Sequence, residues 1–287
     1  MTRLLKGKEV ADLISARSAE ECTELKEKGI TPTMALFRVG EKDDDLSYER
    51  NILKKCETAG IKVIHHIFPE DVEAEDFYRK LDEANSDPAV HGIMVFRPLP
   101  KERFNDAELR NRINVDKDID GCSDLSLSGV FTNRDIGFAP CTAEAAIRIL
   151  DHYGIEIAGK NITVLGRSLV IGKPVSMLLL NRNATVTICH TKTRDAAKIA
   201  SAADILICAT GQMELVNKDY LNKDQAVIDV GFSWNDQKQK LCGDVLFKDA
   251  DGLVHDLTPV PGGVGSVTTS ILISHVVEAA KRTLKHN

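Results

Sequence analysis

The chain has 287 residues, 43% of them hydrophobic and 28% charged, and a formal net charge of −6. That length accommodates two domains of ordinary size, and the composition is that of a globular chain and excludes a disordered one. The acidic balance leaves no electrostatic footprint for nucleic acid, no apolar run approaches a membrane span, and the N-terminus turns polar too early for a signal peptide.

Apolar strands alternate with amphipathic helices, which makes the class α/β with largely parallel sheets. Val10, Leu13, Ile14 and Ala16 begin a helix running towards Lys28-Gly29. A strand over Thr33–Val39 precedes a helix over Leu46–Ala59 closed by Gly60, with Asp43-Asp-Asp45 read as a solvated loop. Lys62–Phe68 is a strand, Ala74–Ala84 a helix and Gly92–Phe96 a third strand, completing one α/β unit. The rhythm restarts near Pro140. Thr142 reads as the N-cap of a helix over Ala143–His152. Strands over Asn161–Leu165, Thr185–Cys189, Asp204–Ala209 and Ala226–Val230 then alternate with helices or turns, including a short helix over Arg194–Ala202. A Rossmann-like sheet is expected there, and Val267–Leu284 is a final helix. The seven cysteines (22, 56, 122, 141, 189, 208 and 242) contain no C-x-x-C pair. They read as reduced, mostly buried thiols in a cytoplasmic protein, with no disulfide frame and no zinc site.

Five stretches carry chemistry. Leu165-Gly-Arg-Ser-Leu-Val-Ile-Gly-Lys-Pro174 passes from strand to glycine turn to helix, a geometry that aims backbone N–H groups at a phosphate; Arg167 adds a planar cation. The spacing is not G-x-G-x-x-G, so the turn alone is a weak dinucleotide signal. At the end of the next strand an acidic residue would bind the 2′-hydroxyl of NAD. This chain offers His190, Thr191, Lys192 and Arg194 instead, which suit the 2′-phosphate of NADP. Asp116-Lys-Asp-Ile-Asp120-Gly121 begins like a calcium loop, but position twelve is Leu127 in place of a bidentate glutamate, so calcium is rejected and an acidic corner for a substrate's amino and amide hydrogens remains. Thr258-Pro-Val-Pro-Gly-Gly-Val-Gly265 and Met94-Val-Phe-Arg-Pro-Leu-Pro100 are stiff, glycine- or proline-rich loops suited to a ligand. His65 and His66 have no metal-ligand spacing, and Tyr220 lacks a lysine four residues on.

Taken together these motifs resemble the methylenetetrahydrofolate dehydrogenase/methenyltetrahydrofolate cyclohydrolase family. The resemblance runs nearly end to end, through Val39-Gly40, Tyr48, Gly92-Ile-Met-Val95, Pro98-Leu-Pro100, Lys117-Asp-Ile-Asp-Gly121, Pro140-Cys-Thr142, Gly166-Arg-Ser168, Gly172-Lys-Pro174, Asn183-Ala-Thr-Val-Thr187, Cys189-His190, Asp229-Val-Gly231 and the Thr258–Gly265 loop. It implies an N-terminal α/β folate domain over residues 1–139, a Rossmann-like NADP-binding domain over 140–266, and a C-terminal helix (267–287) that returns to the first domain. A homodimer with the substrate in the cleft between domains is also implied. So is the reaction: a hydride passes from methylenetetrahydrofolate to NADP, and water then opens the methenyl cation to formyltetrahydrofolate in the same pocket.

Carried over residue by residue, the resemblance has Tyr48 packing on the folate and Asp120 anchoring the pterin. Ile52, Val95, Phe96, Arg97, Pro261, Gly262, Gly263, Val264 and Gly265 line the substrate side. Thr142, Gly166, Arg167, Ser168, His190, Thr191, Gly211, Gly231 and Phe232 hold NADP, and no metal is implied. Two departures stand out. The family has a lysine four residues after the tyrosine, where this chain has Ile52, and a glutamine where it has Phe96; Arg97 replaces the following leucine. Lys54 and Lys55 lie about 200° and 300° around the helix from position 52. Ser266 and Val267 replace Pro-Met. Losing both polar partners together is close to neutral, whereas losing one strands the other. The expectation is a dehydrogenase with weak or lost cyclohydrolase activity. The alternatives are an enzyme with both activities, in which Arg97 or a neighbouring lysine handles the proton, and a folate-binding paralogue without turnover.

Overall fold

A computed structural model describes residues 1–284; residues 285–287 of the expected final helix lie outside the described residues. In chain order the principal elements are β1 (Arg3–Leu4), α1 (Gly7–Glu27), β2 (Thr33–Val39), α2 (Asp43–Ala59), β3 (Lys62–Phe68), α3 (Ala74–Ser86), β4 (Gly92–Val95), α4 (Asp106–Arg112), α5 (Asp124–Thr132) and α6 (Cys141–His152). They continue as β5 (Asn161–Leu165), α7 (Gly172–Leu180), β6 (Thr185–Cys189), α8 (Ala196–Ser201), β7 (Ile205–Cys208), β8 (Ala226–Asp229), β9 (Ser233–Asn235), β10 (Lys240–Cys242), α9 (Phe247–Ala250), β11 (Asp256–Leu257) and α10 (Gly265–Thr283). Among the described residues no helix is long and apolar enough to cross a membrane.

The chain divides into two compact units. One comprises Met1–Ala11 and Thr142–Thr268, the other Asp12–Cys141 and Thr269 onward. The first holds a six-stranded sheet, ordered β1-β11-β8-β7-β5-β6 and parallel throughout. Strands β7 and β8 are buried along their whole length, as near-continuous apolar runs are when helices cover both sheet faces. Strand β6 lies at the edge, and its threonines face solvent. The second unit holds a three-stranded parallel sheet ordered β3-β2-β4, with β2 buried at its centre. Phe37 of β2 meets Phe77 of α3 edge-on at 5.5 Å, and Phe104 caps Phe77 at 5.2 Å. Each fully buried Phe stabilises the unit by about 1.5–3 kcal/mol through surface burial, and the edge contacts add roughly 0.5–1.5 kcal/mol.

Several boundaries differ from expectation. Residues 1–11 group with 142–268, not with 12–139. Arg3 reaches Asp256 through both carboxylate oxygens (2.5 and 3.0 Å), and Thr2 Oγ1 donates to the Val254 carbonyl at 2.7 Å. A two-residue strand is too short to leave a periodic trace in sequence. Asp43–Asp45 are not a loop: they form the first turn of α2, where carboxylates favour the positive helix end although Lys42 supplies no side-chain cap. The other end matches the reading: Gly60, at φ 77°, donates its N–H to the Cys56 and Glu57 carbonyls. Thr142 is the second residue of α6 and not its N-cap. Within the acidic corner Asp118 is satisfied internally: it is buried and accepts from the Cys122 and Ser123 amides and the Ser126 hydroxyl at 2.7–3.1 Å. Gly121, at φ 65°, could carry no side chain, because a Cβ there would lie 2.6 Å from the Phe138 carbonyl oxygen.

Candidate functional site

Read from its β6 edge, the six-stranded sheet runs β6-β5-β7-β8-β11-β1; its first five strands have the doubly wound 2-1-3-4-5 order, whose direction reverses between β5 and β7. Ligands of open α/β sheets bind outside the strand C-termini at that reversal. Gly166 follows β5 there at φ 122°, and a Cβ on it would come within 2.1 Å of the Ala209 carbonyl oxygen just beyond β7. Gly172 is equally confined: a Cβ would meet the Gly166 oxygen at 2.3 Å. Only glycine closes this turn, which leaves the start of the nine-residue α7 beside it. Ser168 Oγ accepts the Ile171 amide at 3.1 Å and stiffens the loop, while Arg167 and Ser168 face solvent.

Register sets the neighbour. Leu165 pairs with Cys189, and Gly166 donates to the Cys189 carbonyl at 2.8 Å, so the segment after β6 lies beside the glycine turn. The His190 amide donates to Thr193 Oγ1 (2.9 Å) and His190 Nδ1 accepts from Lys192 (3.1 Å), folding a compact turn with Thr191, Lys192 and Arg194 exposed. A turn without side chains on a helix N-terminus, with cations and no carboxylate at the ribose end, fits a phosphorylated dinucleotide. Beyond β7 and β8, two buried carboxylates that sequence reading passed over hold the loops. Asp244 accepts from the Thr210 and Gly211 amides, and Asp229 accepts from Gly231, Asp244 and Val245 at 2.9–3.0 Å. Burial pushes the Asp229 carboxyl up to about 7 against the pull of those three N–H groups. Gly231 is packed on Asp244, whereas Phe232 is 63% exposed.

The Thr258–Gly265 loop belongs to this unit. Thr258 Oγ1 accepts the Asp229 amide at 2.7 Å, and the Gly7 amide donates to Gly262 at 2.8 Å. Gly263 and Val264 are buried; Pro261, Gly262 and Gly265 are exposed.

The three-stranded sheet has its own reversal, between β2 and β4. Phe96 and Arg97 follow β4 at that end, and the Phe96 amide donates to Phe37 at 2.9 Å. Side chains alternate along the strand. Val95 enters the apolar core with Phe37 and Ile93, while Phe96 meets the Tyr48 ring edge-on at 6.0 Å. Val95 is thus a core residue. Ile52, one turn along α2 from Tyr48, is fully buried. Burial raises the Tyr48 phenol well above its ordinary value; nearby Cys141 and Asp120 add to this, and a hydrogen bond shared with Thr269 opposes it. Asn51 also donates to Thr269, at 3.1 Å. Arg97 Nη2 lies 3.3 Å from Asp120 Oδ2, and Nη1 3.5 Å from Asp106 Oδ1. Burial raises the Asp120 carboxyl, and the Arg97 guanidinium holds it down.

Four contacts in this unit have no spacing signal in sequence. Buried His275 Nδ1 sits 2.7 Å from the Ile119 carbonyl, which also accepts from Cys141 Sγ at 3.2 Å. Lys55 Nζ donates to Ser270 at 2.9 Å and reaches Ser15 at 3.4 Å. Lys55 is seven residues from Tyr48, nearly two full turns, so it shares the tyrosine's face although it lies off that of Ile52. His65 does not stand apart either: its Nδ1 is 3.5 Å from Glu49, which takes the Arg38 guanidinium at 2.6 Å.

These units define a two-part α/β protein of dinucleotide-binding type, with a second parallel sheet that presents an aromatic and charged cluster. The chain belongs to the tetrahydrofolate dehydrogenase/cyclohydrolase family: residues 5–120 match its catalytic domain and 140–284 its NAD(P)-binding domain. Bifunctional protein FolD of Alkaliphilus oremlandii is 46% identical over 287 residues, covering 100% of this chain and 99% of the relative. The crystal structure of the bifunctional FolD dehydrogenase/cyclohydrolase of Campylobacter jejuni aligns with a TM-score of 0.95 at 32% identity, over 99% of this chain and 100% of that one. The Trypanosoma brucei methylenetetrahydrofolate dehydrogenase-cyclohydrolase, solved with NADP cofactor and inhibitor, aligns at 0.91 with 33% identity over 99% of each. The α/β class and the resemblance read from sequence both hold.

Proposed function

We propose that this chain oxidises methylenetetrahydrofolate to methenyltetrahydrofolate with NADP, and that the cyclohydrolase step is weak or lost. NADP, when bound, takes the hydride that leaves the one-carbon bridge of the folate. The glycine turn at Gly166 and Ser168 orients its phosphates, with Arg167, Lys192 and Arg194 as cations for the 2′-phosphate. Residues 140–266 form the cofactor domain and 1–139 the folate domain, apart from residues 1–11, which group with the cofactor unit. Tyr48 stacks against the folate and Asp120 accepts from the pterin. Hydride transfer asks for alignment and no proton acceptor. Hydrolysis of the methenyl cation asks for a group that takes a proton from water.

The observation that carries the second half is the Tyr48–Phe96 contact beside fully buried Ile52. Neither apolar side chain can accept a proton, and burial keeps the Tyr48 phenol protonated. A second reading, with both activities intact, is favoured by the bifunctional name of a relative 46% identical over the whole chain, with Lys55 or Arg97 as its proton handler. Purified protein separates the two. We expect steady NADPH formation from methylenetetrahydrofolate, slower with NAD, and at most about a hundredth of that rate for loss of methenyltetrahydrofolate absorbance. Hydrolysis as fast as oxidation would establish the second reading, and no NADPH at all would leave a binding paralogue. We also infer a cytoplasmic homodimer, so light scattering on the same preparation should give twice 31.5 kDa.

A further inference from the structure

Arg97 is held by two carboxylates but exhausted by neither. Its contacts to Asp120 (3.3 Å) and Asp106 (3.5 Å) are single, from different terminal nitrogens, and engage at most two of its five N–H donors. Asp120 meets it through Oδ2 alone; Oδ1 has no protein partner among the described residues, and the two side chains are 19% and 31% exposed. Phe96, which meets the Tyr48 ring edge-on at 6.0 Å, directly precedes Arg97 in the chain. A fixed donor and a fixed acceptor therefore stand side by side. That is the complement of a cyclic amide edge, in which a carbonyl adjoins a ring N–H.

We propose that Arg97 and Asp120 together read the 4-oxo edge of the pteridine, with the guanidinium donating to the ring carbonyl and Asp120 Oδ1 accepting from the adjacent N–H and amino group. Arg97 is on this view a specificity-determining residue, selecting 4-oxo over 4-amino pteridines. The inference rests on the folate reading above. A 4-amino ring would turn a donor towards the guanidinium, and a site built around a hydrogen bond discriminates strongly against the partner that cannot make it. Asp106 adds a second ion pair to the guanidinium, whose planar fork loses little freedom on binding.

The test is equilibrium binding of tetrahydrofolate and of 4-amino-4-deoxytetrahydrofolate to the full chain with NADP present. The wild type is expected to prefer the 4-oxo ligand by about tenfold or more. Arg97→Leu should bring that preference to about unity or invert it, because an unpaired Asp120 favours the more basic 4-amino ring. If Arg97→Leu does not fold, Arg97→Lys serves: it keeps the charge but not the planar fork and should lose most of the preference. A preference that survives within about twofold in the folded variant, or that is missing from the wild type, overturns the inference. NADPH formation from methylenetetrahydrofolate by the wild type is read in parallel. If it occurs while Arg97→Leu still discriminates, only the role of Arg97 fails; if it is absent and neither pteridine binds, the folate reading fails with it.

Discussion

The two sheets of this protein reverse direction at equivalent places, and both reversals carry the residues that matter, but they are built differently. Beyond β5 and β7 the site is made of backbone. Gly166 and Gly172 have no room for a Cβ, and buried Asp229 and Asp244 tie down amides of the adjoining loops. Beyond β2 and β4 the candidate site is made of side chains: Tyr48 on Phe96, buried Ile52 one helical turn from Tyr48, and Arg97 between two carboxylates. Backbone geometry tolerates almost no substitution, whereas a side-chain lining can be exchanged as a set if its polar groups leave together. The resemblance read from the sequence implies the family pattern at the first reversal, with Ile52, Phe96 and Arg97 as departures at the second.

The largest effect is expected where backbone is closest. Gly166→Val places a branched side chain at φ 122°, against a carbonyl 2.1 Å from the Cβ position. The loop must move, at a cost of about 3 kcal/mol or more. NADP binding, followed by cofactor fluorescence, should be lost while the protein still melts cooperatively. Retained NADP affinity in a folded Gly166→Val would show that the turn is not the phosphate site, and the contrast between the two reversals would collapse.

Legibility in sequence followed the same division. The Gly166 turn could be read because a glycine between an apolar strand and a helix has few other meanings, and β2, β5, β6 and β8 were visible as apolar runs within a residue of their ends. The pairing of Arg97 with Asp120 joins residues 23 apart. Lys55 with Ser270 and Asp229 with Asp244 likewise depend on which chain segments meet, and no periodicity encodes that. The same holds for β1, which becomes a strand only because Asp256 and β11 are there to receive it. The first turn of α2 was missed for a local reason: three aspartates look like a loop unless the helix charge they offset is already known.

A smaller effect is expected at the second reversal, if its lining acts as a set. Ile52→Lys alone buries an unpaired charge and should cost about 3 kcal/mol. Phe96→Gln alone leaves an amide short of partners, at roughly 1–3 kcal/mol. Together they supply each other's hydrogen bonds, so the double variant should be more stable than the sum of the singles by about 1 kcal/mol or more, and should gain hydrolysis of methenyltetrahydrofolate by about tenfold or more. Thermal melts and absorbance loss read the two outcomes. Strict additivity with no gain in hydrolysis would mean that these positions do not act as a pair.

The smallest effect concerns the carboxylate support of the first reversal. Burial, outweighing the three backbone N–H groups aimed at it, pushes the Asp229 carboxyl up to about 7 in the folded chain, against an ordinary value of 3.8. The folded state therefore holds this proton more tightly than the unfolded state. The stabilisation that results is complete below about pH 4 and is lost as pH rises to about 7. Asp229→Asn removes the titration together with one acceptor oxygen, which lowers the melting temperature at every pH, but by more at pH 5 than at pH 8. A gap between wild type and variant that stays constant from pH 5 to 8 would mean that the carboxylate is already ionised at pH 5. The N–H groups of Gly231, Asp244 and Val245 would then outweigh burial, and the first reversal would be held by charge as much as the second.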